Sequence, residues 1–368
     1  MYERVRRGIT DALFLLTPKL KVRYLGWLGY GNLGDEALYE AIHQLFRETT
    51  AFYYRSYMSR VLSFMPNARF DAVFLGGGTL INHLPTYLDL FRAVNADARV
   101  VFGTGVADPA FTDSLGAPYT TLSGWTECLK EAHYVGVRGP HSARLLREWG
   151  VAREVRVVGD PALYFAVDEP HRGSGRVIGI NLGTTSNKLW GGDDERLLQD
   201  VTRELQTLAD RGWSIRFFPV IASDVATMRK VMEALPAERC FLVEYGGDAQ
   251  TFVEAVRLVD VFVGEKLHSV VLAVCGGVPS VMLEYHPKCR DFMASIDREA
   301  FVVRTDTVGP RSIVERVETL ASGTDSEHRA WLEVARGYRE RLLGEALIVS
   351  RKLEDSKSCR RGPTFRSH

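Results

Sequence analysis

The stretch that decides the fold is Val261-Phe-Val-Gly-Glu-Lys-Leu-His-Ser-Val270-Val-Leu-Ala-Val-Cys-Gly-Gly-Val-Pro-Ser280-Val-Met-Leu-Glu-Tyr-His-Pro-Lys288. It reads as an apolar strand (261–263), a polar loop, a short apolar helix (269–275), a Gly-Gly-Val-Pro turn and a second apolar strand (280–283). Strands that are apolar throughout and joined through a helix belong to a parallel sheet covered on both faces. The same rhythm runs outward on both sides. Upstream, strands are expected at 177–182 and 214–219, with helices at 194–210, 224–235 and 251–259. Further upstream, strand 22–27 precedes a Gly-rich turn and a helix over 35–46, and strands follow at 72–75, 100–103, 134–137 and 155–158. A helix over 142–149 ends at Gly150. Downstream, helical residues run over 313–320 and 327–352.

These elements make two α/β units in tandem, with two Rossmann-like domains expected to resemble the B-type glycosyltransferase fold. The expected boundaries are 1–167 for the N-terminal domain, taken as the acceptor side, and 168–176 for a linker rich in Pro, Gly and Ser. The C-terminal domain, taken as the donor side, spans 177–353, and a polar, disordered tail fills 354–368. In open parallel sheets ligands sit at the carboxyl ends of the strands. The active site is therefore expected in the interdomain cleft.

The totals narrow the partners. Of 368 residues, 46 are Lys or Arg and 46 are Asp or Glu, so the formal net charge is zero. A protein that neutralises a phosphate backbone carries an excess of bases, so nucleic acid is not expected as a partner. The five cysteines are scattered without a CxxC pair; they read as reduced thiols of a cytoplasmic protein, and no metal site is expected. No run is apolar enough to span a bilayer. Residues 3–16 read as a short amphipathic helix packing on the neighbouring domain.

Four motifs follow strands and so belong to the cleft. Gly29-Tyr-Gly-Asn-Leu-Gly34 matches GxGxxG, but Asp35 and Glu36 stand where a pyrophosphate would dock, and like charge opposes it. Asn32, Asp35 and Glu36 suit sugar hydroxyls instead and are expected to bind an acceptor; helix capping is the alternative reading. Gly77 and Gly78, within Gly76-Gly-Gly-Thr79, let the backbone approach an anion closely. Arg138, directly after a strand, offers a planar fork for a carboxylate or phosphate, unless it pairs with a neighbouring acid. Asp160 in Gly159-Asp-Pro161 reads as the cap of a turn. The deciding stretch adds Lys266, His268 and Lys288 at two successive strand ends, with Glu265, Glu284 and Tyr285 beside them.

In order and spacing these motifs resemble the polysaccharide pyruvyl transferase family, over about residues 24–292. They are Gly29–Glu36, Gly76–Leu80, Gly136-Val-Arg138 with Ser142, Gly159–Leu163, and Leu267-His-Ser269 through Gly277-Val-Pro279 to Tyr285–Lys288. The resemblance implies transfer of a pyruvyl group from phosphoenolpyruvate to a sugar of a polysaccharide or glycolipid, forming a cyclic ketal. It makes His268 the catalytic acid and Arg138, Lys266, Lys288, Gly77 and Gly78 the donor site. No cofactor is implied beyond the substrate itself, and contact with the inner membrane face would follow from a lipid-linked acceptor. Lys266 stands where many members carry arginine; lysine neutralises an anion without forming a fork. A nucleotide-sugar glycosyltransferase and a non-catalytic sugar-binding protein are the alternative readings.

Overall fold

The computed structural model describes residues 17–54, 69–151, 153–169 and 175–361. The helix expected over 3–16 lies outside them. The first unit contains β1 (Leu20–Leu25), α1 (Leu33–Leu45), β2 (Thr50–Tyr53), β3 (Phe70–Leu75), β4 (Gly78–Ile81), α2 (Pro85–Ala93) and β5 (Ala96–Val106). It continues with α3 (Pro109–Ser114), α4 (Leu122–Lys130), β6 (Tyr134–Val137), α5 (Pro140–Glu148) and β7 (Arg156–Val157). A 3-10 turn over Pro161–Phe165 leads out of it. The second unit contains β8 (Val177–Asn181), α6 (Asp194–Asp210), β9 (Ser214–Phe217), α7 (Asp224–Glu233), β10 (Cys240–Leu242), α8 (Ala249–Val256) and β11 (Val261–Gly264). Then come α9 (Leu267–Cys275), β12 (Ser280–Glu284), α10 (Pro287–Ser295), β13 (Val302–Arg304), α11 (Ser312–Ser322) and α12 (Thr324–Arg361).

All pairings described are parallel. The first sheet runs β2-β1-β3-β5-β6-β7 with β4 added beside β5, and the second runs β10-β9-β8-β11-β12-β13. Each order reverses once, between β1 and β3 and between β8 and β11. At such a reversal the loops leave the strand ends in opposite directions and open a crevice. The two crevices face each other.

Alternation along the strands splits the core. Val22, Phe74, Val100 and Phe102 point to one face and join the core of the second unit, whereas Val73, Leu75 and Val101 point to the other and form a separate core with Trp125 and Leu146. That is the period of two of a strand. One apolar core thus runs from the first sheet into the second unit, and it fixes the walls of the cleft.

Four features differ from the sequence expectation. Strands β2, β4, β10 and β13 were not expected, each being only three or four residues long. Nor were helices α2, α3, α4 and α10; each is short and three of them begin at proline, which also signals turns. Helix α9 starts at Leu267, which places His268 in its first turn. The last helix does not stop at Lys352 but runs to Arg361, through part of the expected polar tail; residues 362–368 lie outside the description. One stripe of the helix, from Trp331 through Ala335, Leu342 and Val349 to Leu353, is buried in the shared core, and ion pairs anchor its polar faces. Tyr338 donates to the Ser295 carbonyl in the second unit. Beyond it, Glu345 accepts from Tyr134 at 2.8 Å and from Arg156 at 2.9 Å, and Lys357 pairs with Asp71 at 3.1 Å, all in the first unit. Among the described residues no helix is long and apolar enough to cross a membrane.

Candidate active site

A cavity of about 450 Å³ lies at the carboxyl ends of both sheets. Asn32, Asp35, Gly78 and Arg138 of the first unit line it with Lys266, His268 and Lys288 of the second. Seven of the nine residues expected in the site therefore meet there. Gly77 and Glu36 do not. Gly77 packs on Leu38, and a Cβ there would come within 2.5 Å of that side chain. Glu36 turns back and accepts a hydrogen bond from the Gly29 amide at 2.7 Å, which closes the loop before α1. Asn32 holds two positions at once: it lines the cavity and caps α1 by accepting from Gly34 N–H at 3.0 Å.

His268 is brought in by α9, whose residues are buried almost throughout. Lys266 caps that helix without a side-chain bond, and its backbone N–H is held by the Asn181 carboxamide at 3.1 Å. Its ammonium donates to the Thr184 carbonyl at 3.1 Å. His268 packs against the first turn of α1. A Cβ on Gly34 would lie 2.1 Å from His268 Nδ1, so only glycine leaves room for the ring.

Behind the ring sits Asp160, wholly buried. Its Oδ2 is 3.6 Å from His268 Nε2 and 3.0 Å from Arg138 Nε, while its Oδ1 accepts from Ala162 N–H at 3.0 Å. Burial alone would push this carboxyl up, but His268 and then Arg138 outweigh it and hold it below the usual carboxylate range. The turn cap expected from Gly159-Asp-Pro161 is present, and the ion pairs come in addition. The sequence reading missed them, because Asp160 meets its partners only through the packing of β6 and α9. Arg138 is also wholly buried; Nη2 donates to the Gly78 carbonyl at 2.6 Å. Arg138 thus pairs with an acid and also lines the cavity. Its Nη1 has no hydrogen-bond partner among the described residues.

The remaining charges are tuned by burial. It lowers the Lys288 ammonium to about 8, and Arg138 and Lys266 add to this. Burial raises the Asp35 carboxyl, against the pull of His268 and Lys288. Tyr285 lies between the two lysines, 4.8 Å from Lys288 Nζ and 5.8 Å from Lys266 Nζ to its ring centre. Glu265 is raised to about 7 by burial and accepts from Gly183 N–H at 2.8 Å, outside the cavity wall. Glu284 is spent on Arg290 at 2.8 Å. Among the described residues no three His, Cys, Asp or Glu side chains form a set that could hold a metal ion.

With this geometry in place the comparisons with known proteins become specific. A model of the polysaccharide pyruvyl transferase family matches residues 32–287, a span that begins at the cap of α1 and ends at the start of α10. The chain belongs to that family. The match takes in every cavity residue named above except Lys288, which lies one residue past its end. A search of curated proteins finds none that matches. Among solved structures the fold is shared with a Listeria monocytogenes protein described as a UDP-N-acetylglucosamine 2-epimerase, at 13% identity and a TM-score of 0.60, over 92% of this chain and 97% of that one. It is likewise shared with S. aureus MnaA, solved with UDP, at 10% identity and a TM-score of 0.55, over 86% and 90%. A Rickettsia africae glycosyltransferase matches at 11% identity and a TM-score of 0.51, over 92% and 99%. At these identities the likeness is one of fold: two Rossmann-like domains in the B-type glycosyltransferase arrangement.

Proposed function

We propose that the protein transfers the pyruvyl group of phosphoenolpyruvate to two hydroxyls of a glycan acceptor, forming a cyclic ketal and releasing phosphate. The observation that carries this reading is the concentration of cations around one imidazole. Arg138, Lys266 and Lys288 line a single cavity with His268, and burial has already lowered Lys288 to about 8. A cluster of like charges is relieved by binding an anion, and phosphoenolpyruvate carries a phosphate and a carboxylate close together.

The chemistry then runs between the two walls. His268 gives a proton to the methylene carbon of the enol ether, and C2 becomes an oxocarbenium-like centre. A sugar hydroxyl adds to C2 and its proton passes to a base. Asp35, on the first-unit wall and raised by burial, is placed for that task. Phosphate leaves with the C–O bonding pair, a second hydroxyl adds to C2 and closes the ring, its proton restores the His268 imidazolium, and the proton held by Asp35 passes to the released phosphate. We assign the acceptor to the part of the first-unit wall where Asn32 and Asp35 offer an amide and a carboxylate to hydroxyl groups.

The deciding experiment is mass spectrometry of bacterial cell-surface glycans incubated with the protein and phosphoenolpyruvate. Pyruvylated glycan with stoichiometric phosphate is expected. A product formed only when a nucleotide sugar replaces phosphoenolpyruvate would overturn the reading in favour of glycosyl transfer.

A further inference from the structure

We propose that Asp160 is a positioning residue for His268, holding its Nε2–H inward so that Nδ1 is the nitrogen that delivers the proton. This rests on the acid role given to His268 above and adds which atom acts and what fixes it.

Three observations lead there. The contact between Asp160 Oδ2 and His268 Nε2, at 3.6 Å, faces a buried ring nitrogen without a hydrogen-bond partner among the described residues toward a buried carboxylate oxygen that is ion-paired to Arg138 but accepts no hydrogen bond there. A buried ring N–H left without an acceptor carries a desolvation penalty, which a hydrogen bond to this oxygen removes once the contact shortens by a few tenths of an ångström. Such contacts are often long without substrate and shorten when it binds. Second, His268 Nε2 is inaccessible to solvent although the side chain keeps 13% exposure. The part of the ring that lines the cavity therefore bears Nδ1 as its only nitrogen. Third, Nδ1 lies on the α1 side, against Gly34, and Asp35 lines the same cavity from the opposite wall.

The oxygen that faces His268 also faces Arg138 at 3.0 Å. An ionised Asp160 accepts but cannot donate, so the neutral imidazole beside it carries its proton on Nε2. The protonated ring then gives up the Nδ1 proton to the methylene carbon of phosphoenolpyruvate and is left as the Nε2–H tautomer. The C2–C3 π pair forms the new C–H bond, and the positive charge passes from the ring to C2. Asp160 stays ionised throughout.

A structural role alone would predict that Asp160→Asn loosens the protein and weakens every step together. The positioning role predicts a split. Removing a negative charge beside an anion site cannot weaken phosphoenolpyruvate electrostatically, so KM for the donor should not rise, while kcat falls about 100-fold. The direct readout is the ring nitrogen spectrum of protein labelled with 15N-histidine at pH 9, with the His268 signal assigned by its absence in His268→Gln. The Nε2–H tautomer is expected in the unmodified protein. The Nδ1–H tautomer there would overturn the proposal, as would an unchanged kcat in a folded Asp160→Asn variant. If that variant does not fold, the tautomer of the unmodified protein decides alone. A protein that makes no ketal from phosphoenolpyruvate would sink the transfer reading but leave the tautomer measurement intact, so the two failures are told apart.

Discussion

Two buried aspartates join the halves of the molecule, and a glycine makes room at each junction. Asp291, on α10, reaches the start of α5 in the first unit, where it accepts from His141 N–H at 2.8 Å, Ser142 N–H at 3.3 Å and the Ser142 hydroxyl at 2.5 Å. A Cβ on Gly139 would lie 2.2 Å from its Oδ1. Asp160 reaches the other way, to His268 on α9, with Gly34 clearing space for the ring. At the first junction every contact is a hydrogen bond to a helix terminus that needs one. At the second, one oxygen is divided between two cationic groups, and Nη1 of Arg138 is left over. The first junction is complete without a ligand and the second is not. Burial and charge are common to both; the difference is that Asp291 has both oxygens hydrogen-bonded, whereas Asp160 Oδ2 and Arg138 Nη1 have no hydrogen-bond partner among the described residues.

Substitutions on the two sides should separate activity from stability. The largest effect is expected from His268→Gln, which should lower ketal formation by about three orders of magnitude while the melting temperature stays close to that of the unmodified protein. A comparable loss of melting temperature would place His268 in the structural class instead. Next, Gly34→Ala should push the ring aside and cost about 100-fold in kcat, since small misplacements of a reacting group are expensive. Circular dichroism should show the helix intact, alanine being favourable there. Asp291→Ala should lower stability by about 2 kcal/mol in urea unfolding, through three orphaned donors, with kcat of the folded protein within about twofold. A collapse of kcat would mean that the clasp also shapes the cleft.

The smallest effect concerns Lys288. With its ammonium at about 8 in the fold, the cation is lost as the pH rises through that value, so KM for phosphoenolpyruvate should climb several-fold between pH 8 and 9.5. In Lys288→Met the KM should be high already and this rise absent. The linked stability has the opposite sense. The unfolded lysine, at 10.5, binds its proton more tightly than the folded one. Stability from this group is therefore fully present above 10.5 and lost as the pH falls through about 8. Bound donor, by favouring the cation, should narrow that window.

The central strands were legible because a buried parallel strand needs an apolar run with a turn at its end, and both signals are local; the short edge strands β2, β10 and β13 and the added β4 were not expected. Arg138, Lys266, His268 and Lys288 were legible too, each placed at or just after a strand end. What stayed hidden depends on contacts between units. Nothing near Asp160 tells that its carboxylate meets His268, and nothing in the first helix tells that Glu36 folds back on Gly29 while Asp35 faces the cavity. Ser142 and Asp291 were equally silent: their pairing exists only once α5 and α10 are docked. Short helices beginning at proline show too few turns for a helical period to stand out, and proline also signals turns.

Helix α12, tied to the second unit near Tyr338 and to the first from Glu345 onward and packed on the shared core at Leu342 between them, is in mechanical terms a splint laid across the two units. At 1.5 Å per residue it is about 57 Å long. Gly337 and Gly344 flank the span between the two clamps, and a Cβ at either would meet nothing within 4 Å. Packing does not require glycine there, yet each weakens the helix by about 1 kcal/mol relative to alanine. At the crossing the intrinsic preference for helix is at its weakest, so burial of the apolar stripe and the ion pairs beyond it hold the splint in place.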